Sequence, residues 1–317
     1  MGLDLGLPRR YSREWEDERR CTKFHTRLAV NVPRNGYRHI SVLEVLEVKP
    51  FCPELPRTNE GWVVFPDDVS LRRQYFPPQV MQHPAKANIH MIQAIVDMVS
   101  EPGETVLDPM SGTGTVMVAA LTGRKAILIE VETGYHEMQK AGLLVFETLR
   151  PDVRGKILLI NSDCRKVLPL PCDHIIFSPP YAGILKFQAK KESTRSLSGS
   201  YKDSIQDYSA SPGNVGTTNR FFYNQAMEKV YSLCFQSLRP GGTMTIIIQD
   251  SFEQDGSKER RRVYLSKWME RVCHKVGFVT LAWNKRLASG TGFKRLWMSR
   301  GMEMVMDEDI VTYMRAT

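Results

Sequence analysis

Nowhere in the 317 residues do eighteen apolar residues run together, which argues against a membrane-spanning helix. The charged start (Arg9, Arg10, Arg13, Glu14) has no apolar core of the kind a signal peptide carries. A soluble, cytoplasmic protein is therefore expected. Cysteines stand alone at 21, 52, 164, 172, 234 and 273, and the absence of a CxxC pair speaks against a zinc ribbon or a redox dithiol. Histidines 83, 90, 136 and 174 show no metal-like spacing with carboxylates or cysteines, so no metal site is expected. Internal repeats and low-complexity tracts are also missing.

Charge, by contrast, is plentiful and uneven. The formal net charge is +8, yet Gly256–Arg300 alone holds twelve Lys/Arg against Glu259 and Glu270. A field concentrated in this way favours a polyanionic partner such as nucleic acid.

The first eighty residues are rich in proline and read as an irregular extension with a potential role in DNA contacts. Apolar residues at helical spacing (Ile89, Ile92, Ile95, Val96, Val99) predict a helix over Ala87–Ser100, stopped by Pro102-Gly103. Strands and helices then alternate. Strands are expected at Thr105–Pro109, Ala126–Val131, Ile157–Asn161, His174–Phe177 and Met244–Gln249, and near Val279–Trp283 and Arg295–Ser299. Helices are expected at Thr115–Leu121, Gly134–Thr148 and Phe221–Leu238, with a basic one over Lys258–Val276. Short apolar strands without polar alternation, separated by helices, predict a mostly parallel sheet covered on both faces. The catalytic domain would span 81–300, with a polar loop at 182–220 free to meet substrate and an acidic tail at 301–317.

Two motifs carry chemistry. In Val106-Leu107-Asp108-Pro109-Met110-Ser111-Gly112-Thr113-Gly114-Thr115 a buried strand enters a glycine turn that opens a helix. Ligands of doubly wound sheets bind outside the carboxyl ends of the strands, and glycine lets them approach the backbone. Glu130 ends the next strand, where a carboxylate can accept hydrogen bonds from ribose hydroxyls. The turn lacks the Gly-Lys-Ser/Thr of a triphosphate loop and the third glycine of a dinucleotide loop.

The second motif, Phe177-Ser178-Pro179-Pro180-Tyr181, ends the fourth strand. Consecutive prolines withdraw two backbone donors and leave a rim of acceptors, the Ser178 hydroxyl and the Pro179 carbonyl. An amino group on an aromatic ring presents two N–H donors that such a rim can hold in line with a methyl donor. Tyr181 offers a face for stacking an extruded base. Cys172, in Pro171-Cys172, stands before this strand and reads as structural.

Together the motifs resemble the amino-methyltransferases of DNA, which act on N4 of cytosine or N6 of adenine. Their cofactor loop reads DPFxGxGT and their catalytic motif (D/N/S)PP(Y/F). The likeness spans roughly Gln79 to Ser299, including His83-Pro84-Ala85-Lys86 and Leu238-Arg239-Pro240-Gly241-Gly242, with Met110 in place of the usual Phe. It implies a Rossmann-like class I methyltransferase fold on a seven-stranded sheet, with S-adenosylmethionine as cofactor. Asp108, Pro109, Met110, Ser111, Gly112, Gly114 and Thr115 would surround its methionine end, Glu130 its ribose, and Asp163 with Cys164 its adenine. Ser178, Pro179, Pro180 and Tyr181 would hold a flipped base, and Lys186, Lys190, Lys191 and Arg195 would meet phosphates. Serine at the head of the motif goes mainly with cytosine N4. The implied substrate is double- or single-stranded DNA, and the implied partner a restriction nuclease. N6 methylation of adenine, methylation of an RNA or tRNA base amine, and catalytically silent nucleic-acid binding are the alternatives.

Overall fold

The computed structural model describes residues 51–82, 86–180, 211–254, 260–288 and 291–316. Seven strands form its central sheet: β1 (Thr105–Asp108), β2 (Lys125–Glu130), β3 (Ile157–Asn161), β4 (Cys172–Phe177), β5 (Leu238–Ile248), β8 (Phe278–Leu287) and β9 (Asp307–Arg315). They lie in the order β3-β2-β1-β4-β5-β9-β8. The pairings among β1 to β5 are parallel, and β9 is antiparallel to both β5 and β8. This is the mostly parallel sheet that the alternation predicts, in the Rossmann-like fold that the resemblance implies.

Successive strand residues explain why both faces need covering. Leu107, Ile175 and Ile246 enter one apolar core, whereas Val106, Ile176 and Ile247 enter the other. Helices α5 (Arg220–Ser237) and α6 (Leu265–Val276) cover the first face through Met227, Val230, Tyr231, Met269 and Cys273. On the second face lie α1 (Val69–Tyr75), α2 (Ile89–Val99) and the 3-10 stretch Thr115–Thr122; Phe146 of α3 (Thr133–Leu149) packs there too. The short α4 (Cys164–Val167) follows β3. A separate antiparallel ribbon, β6 (Ser251–Gln254) with β7 (Arg260–Val263), follows β5, and α7 (Thr291–Met298) follows β8.

Four local expectations need correction. Thr115–Thr122 tightens into a 3-10 helix, because left-handed glycines at both ends, Gly114 (φ 83°) and Gly123 (φ 86°), confine it. The basic stretch before α6 pairs as a strand, with Arg262 drawn onto Asp250 at 3.1 Å. Arg295–Ser299 falls largely within a helix rather than forming a strand; so short an apolar run does not distinguish the two periods. The acidic tail is instead strand β9, inserted between β5 and β8.

The buried acids of β9 are paired. Asp309 accepts a hydrogen bond from Trp283 Nε1 at 2.7 Å and meets Lys285 Nζ at 2.9 Å. Asp307 also pairs with Lys285. The proline-rich extension, for its part, joins the domain from residue 51 onward. Phe51, Val63, Tyr75, Phe76 and Val80 are buried in the second core, and the Val63 amide donates to Lys285 O at 2.9 Å. Residues 1–50 lie outside the described set.

Candidate active site

The carboxyl ends of β1, β2 and β4, with the turn after β3, open onto one cleft. Pro109, Met110 and Gly112 form one wall, and Glu130, Asp163 and Cys164 another. Ser178 and Pro180 stand at the far side. Two motifs that lie far apart in sequence therefore share one cavity.

The first wall is built by a turn that spends its polar groups on itself. Ser111 N–H and Oγ–H both donate to Ile129 O at 3.0 Å. Gly112 N–H donates to Glu130 Oε2 at 2.6 Å, and Glu132 N–H to Glu130 Oε1 at 2.8 Å. From α3, Gln139 Nε2 donates to Ser111 Oγ at 2.8 Å and to Gly112 O at 2.7 Å, pinning the turn from beneath. Gly114 could not be replaced freely: its φ is +83°, and a Cβ would stand 2.9 Å from Met117 Cε. Gly112 also has a left-handed φ of +51°, but a Cβ there would meet nothing within 4 Å, so this glycine faces open cleft.

Asp108, Ser111, Gly114, Thr115 and Pro179 are not among the residues lining this cavity. Asp108 is buried and accepts Met110 N–H at 3.0 Å. Thr115 Oγ1 accepts from the buried Arg72 at 3.3 Å. Pro179 is buried, whereas Ser178 is exposed. Tyr181, Lys186, Lys190, Lys191 and Arg195 lie outside the described residues, as do His83, Pro84 and Ala85.

Burial shifts the carboxyls strongly. It lifts Asp108 to about 8, with the N–H of Met110 opposing and the nearby Glu130 adding to the rise. Glu130 is raised to about 7 by burial, against the N–H groups of Glu132 and Gly112. Asp163 behaves otherwise. Burial pushes its pKa up, but hydrogen bonds from the Arg165 guanidinium and backbone outweigh it and the net shift is downward. Its carboxylate thus remains ionised against Arg165 at 2.6 Å. Cys172, at the amino end of β4, is buried and its thiol is pushed up to about 12, so it stays protonated and away from the cleft.

Sequence reasoning missed the wall formed by Gly213, Asn214 and Val215. Assigned to the substrate loop, this segment instead packs on the cleft. Glu132 Oε1 accepts from Asn214 Nδ2 at 2.7 Å, and Ser211 Oγ donates to Val131 O at 3.1 Å. Arg165 Nη2 reaches Gly213 O at 3.1 Å. A carboxylate two residues beyond Glu130 was the available signal, but its partners come from some eighty residues away. Among the described residues no group of His, Cys, Asp and Glu is placed to hold a metal, and no helix is long and apolar enough to cross a membrane.

Comparison with known proteins agrees with the first motif, the glycine turn. Residues 39–141 match the family model of N6/N4 methyltransferases described as DNA methylase. Over 117 residues the chain is 32% identical to a protein named "Putative methylase YubD" from Escherichia coli K12, covering 36% of this chain and 44% of that one. The chain thus spans less than half the length of the curated relative. Among solved structures, TrmN from Thermus thermophilus superposes with a TM-score of 0.45 at 13% identity, over 75% of this chain and 52% of that one. The glycopeptide N-methyltransferase MtfA, complexed with S-adenosylmethionine, gives 0.43 at 13% identity, over 73% and 88%. The fold rests on the strand order rather than on those superpositions.

Proposed function

We propose that this chain, which carries the cofactor-side segment of the DNA amino-methyltransferases, transfers a methyl group from S-adenosylmethionine to N4 of cytosine in DNA. The observation that carries the reading is the shared cleft: the glycine turn, Glu130, Ser178 and Pro180 line one cavity.

The residues present fit the cofactor. Gly112 presents bare backbone to open space, where a bulky ligand can lie against the turn. Each Glu130 oxygen holds a single N–H, which leaves lone pairs for ribose hydroxyls. Asp163 and Cys164, with the Gly213–Val215 wall, would enclose the adenine end. Met110 would pack apolar surface against the ligand. When bound, the cofactor supplies an electrophilic methyl on a sulfonium.

The exposed Ser178 hydroxyl then supplies an acceptor for one N–H of the target amine, and the Pro179 carbonyl would take the second, though the Pro179 ring itself is buried off the cleft. Holding both fixes the nitrogen in line and helps localise its lone pair, so the rate gain comes from positioning. No covalent enzyme adduct is required, consistent with the protonated, remote Cys172. Because Ser178 is exposed, the surplus proton can leave to water. Tyr181 would stack on the flipped base, worth roughly 1–3 kcal/mol.

The deciding experiment incubates the protein with labelled S-adenosylmethionine and duplex DNA, single-stranded DNA or tRNA, then identifies the nucleosides by mass spectrometry. N4-methylcytosine in DNA is the expected product. N6-methyladenine would retain the site and refute the base assignment; transfer to tRNA alone would refute the substrate.

A further inference from the structure

Asp163 lines the cleft where the adenine of the cofactor is expected, yet its carboxylate is already committed. It caps α4 by accepting the Arg165 N–H on Oδ1 at 2.9 Å. The Arg165 side chain then folds back onto it. Nε donates to Oδ1 at 2.9 Å and to Oδ2 at 3.1 Å, and Nη2 donates to Oδ2 at 2.6 Å. A carboxylate offers about four lone pairs, and these contacts fill them.

Arg165 does not stop at Asp163. The same Nη2 donates to Gly213 O at 3.1 Å, which carries the hold of the carboxylate to the segment that walls the cleft. Gly213 packs directly on Asp163: a Cβ there would stand 3.2 Å from Asp163 Oδ2 and 3.0 Å from Val131 Cγ2. The neighbours of Gly213 are fastened to the turn after β2. Ser211 Oγ donates to Val131 O at 3.1 Å, and Asn214 Nδ2 to Glu132 Oε1 at 2.7 Å.

We propose that Asp163 and Arg165 are positioning residues for the cofactor: Asp163 orients Arg165, Arg165 holds Gly213 O, and the segment 211–215 so fixed closes on the adenine. The proposal rests on the S-adenosylmethionine reading of the cleft. It departs from the direct adenine contact that the family resemblance implies for Asp163. To accept an adenine N–H, Asp163 would have to surrender a charge-assisted contact with the guanidinium for one with a neutral donor, which is the weaker of the two. The adenine ring is then selected by its fit against Val131, Cys164 and Val215, which line the same cavity, rather than by its amino group.

The test is calorimetry of the full chain with S-adenosylhomocysteine and with its analogue carrying unsubstituted purine, which lacks only the exocyclic amine. A hydrogen bond from that amine to a charged carboxylate is worth about ten- to hundredfold in affinity. The wild-type protein should instead bind the two probes within about threefold of each other, no more than a weak hydrogen bond. Asp163→Asn should weaken both by one factor, about tenfold, because it loosens Arg165. Arg165→Lys keeps the charge without the fork and should do the same. The double variant should be no worse than either, since the two residues act in series. Hydrogen exchange of peptides covering 211–218 should quicken in all three variants, while α2 stays unchanged as the mark of an intact fold. An analogue bound about tenfold or more weakly by wild type, with that gap erased in Asp163→Asn, would overturn the proposal. So would additive losses or unchanged exchange of the segment. Failure of the wild-type protein to bind either probe would refute the cofactor reading beneath it, and the exchange, which needs no ligand, tells the two failures apart.

Discussion

At the scale of the residue, the proposed function divides the cleft between side chains that would meet the substrate and those that shape the glycine turn. Ser178 is exposed at the cavity and belongs to the first group. Ser178→Ala should therefore lower turnover by roughly 10²-fold, the scale of losing one positioned polar contact in a transition state. Cofactor affinity by calorimetry should stay unchanged, and equal losses in both would remove Ser178 from its role. Asp108 and Glu130 belong to the second group, and burial raises them to about 8 and about 7. Their folded pKa values exceed the unfolded values near 4, so the folded state favours the protonated forms. Stability is full below about pH 4 and is lost as pH rises through about 7 and 8, at most about 1.4 kcal/mol per pH unit for each group. The contribution of these two groups to the melting temperature of the free protein should accordingly fall from about pH 5 to about pH 8 and level off above that. Asp108→Asn keeps an acceptor for Met110 N–H and should flatten that fall; an unaltered profile would show that Asp108 is not its source.

At the scale of the element, the segment from Ser211 to Val215 is held by Glu132 together with Val131 O and Arg165. Glu132 is buried and accepts from both Asn214 Nδ2 and Ser211 N–H. Asn214→Ala should leave Glu132 short of a donor in a buried site and cost about 1–3 kcal/mol in urea unfolding. Proteolytic nicking near Gly213 should quicken at the same time, because that segment is then held chiefly by Arg165 and Ser211. Equal nicking in both proteins would show that the Glu132 contact does not hold the segment. The helices were well legible in sequence where an apolar face recurs at 3.6 residues. Thus α2, α3 and α5 fall within two residues of expectation at each end. The β6–β7 ribbon and α7 were not legible. Half of their residues are basic or aromatic, and they are fixed by Arg262 and Lys294 reaching onto Gln249, Asp250 and Asp307.

At the scale of the whole molecule, β9 is the strand on which the outer half of the sheet depends, since it alone joins β5 to β8. A chain ended before Asp307 should lose cooperative urea unfolding by circular dichroism, because two strands and the first core lose their shared neighbour. Ending the chain after Arg315 should leave the transition in place. The sequence by itself determined the alternating parallel architecture and marked out the glycine turn, Glu130 and the Ser178-Pro179-Pro180 segment. Each of these is a local pattern: an apolar run of strand length, glycines that permit positive φ, prolines that remove donors. Only the tertiary structure decided that an acidic tail is a buried strand. Asp307 and Asp309 look solvated until Trp283 and Lys285 arrive from β8 to pair them. It likewise decided that Gly213–Val215 wall the cleft and that residues from Phe51 onward join the core. Such partners are separated by tens to hundreds of residues, and the energy that places them, burial of charge against a distant counter-charge, leaves no periodic trace along the chain.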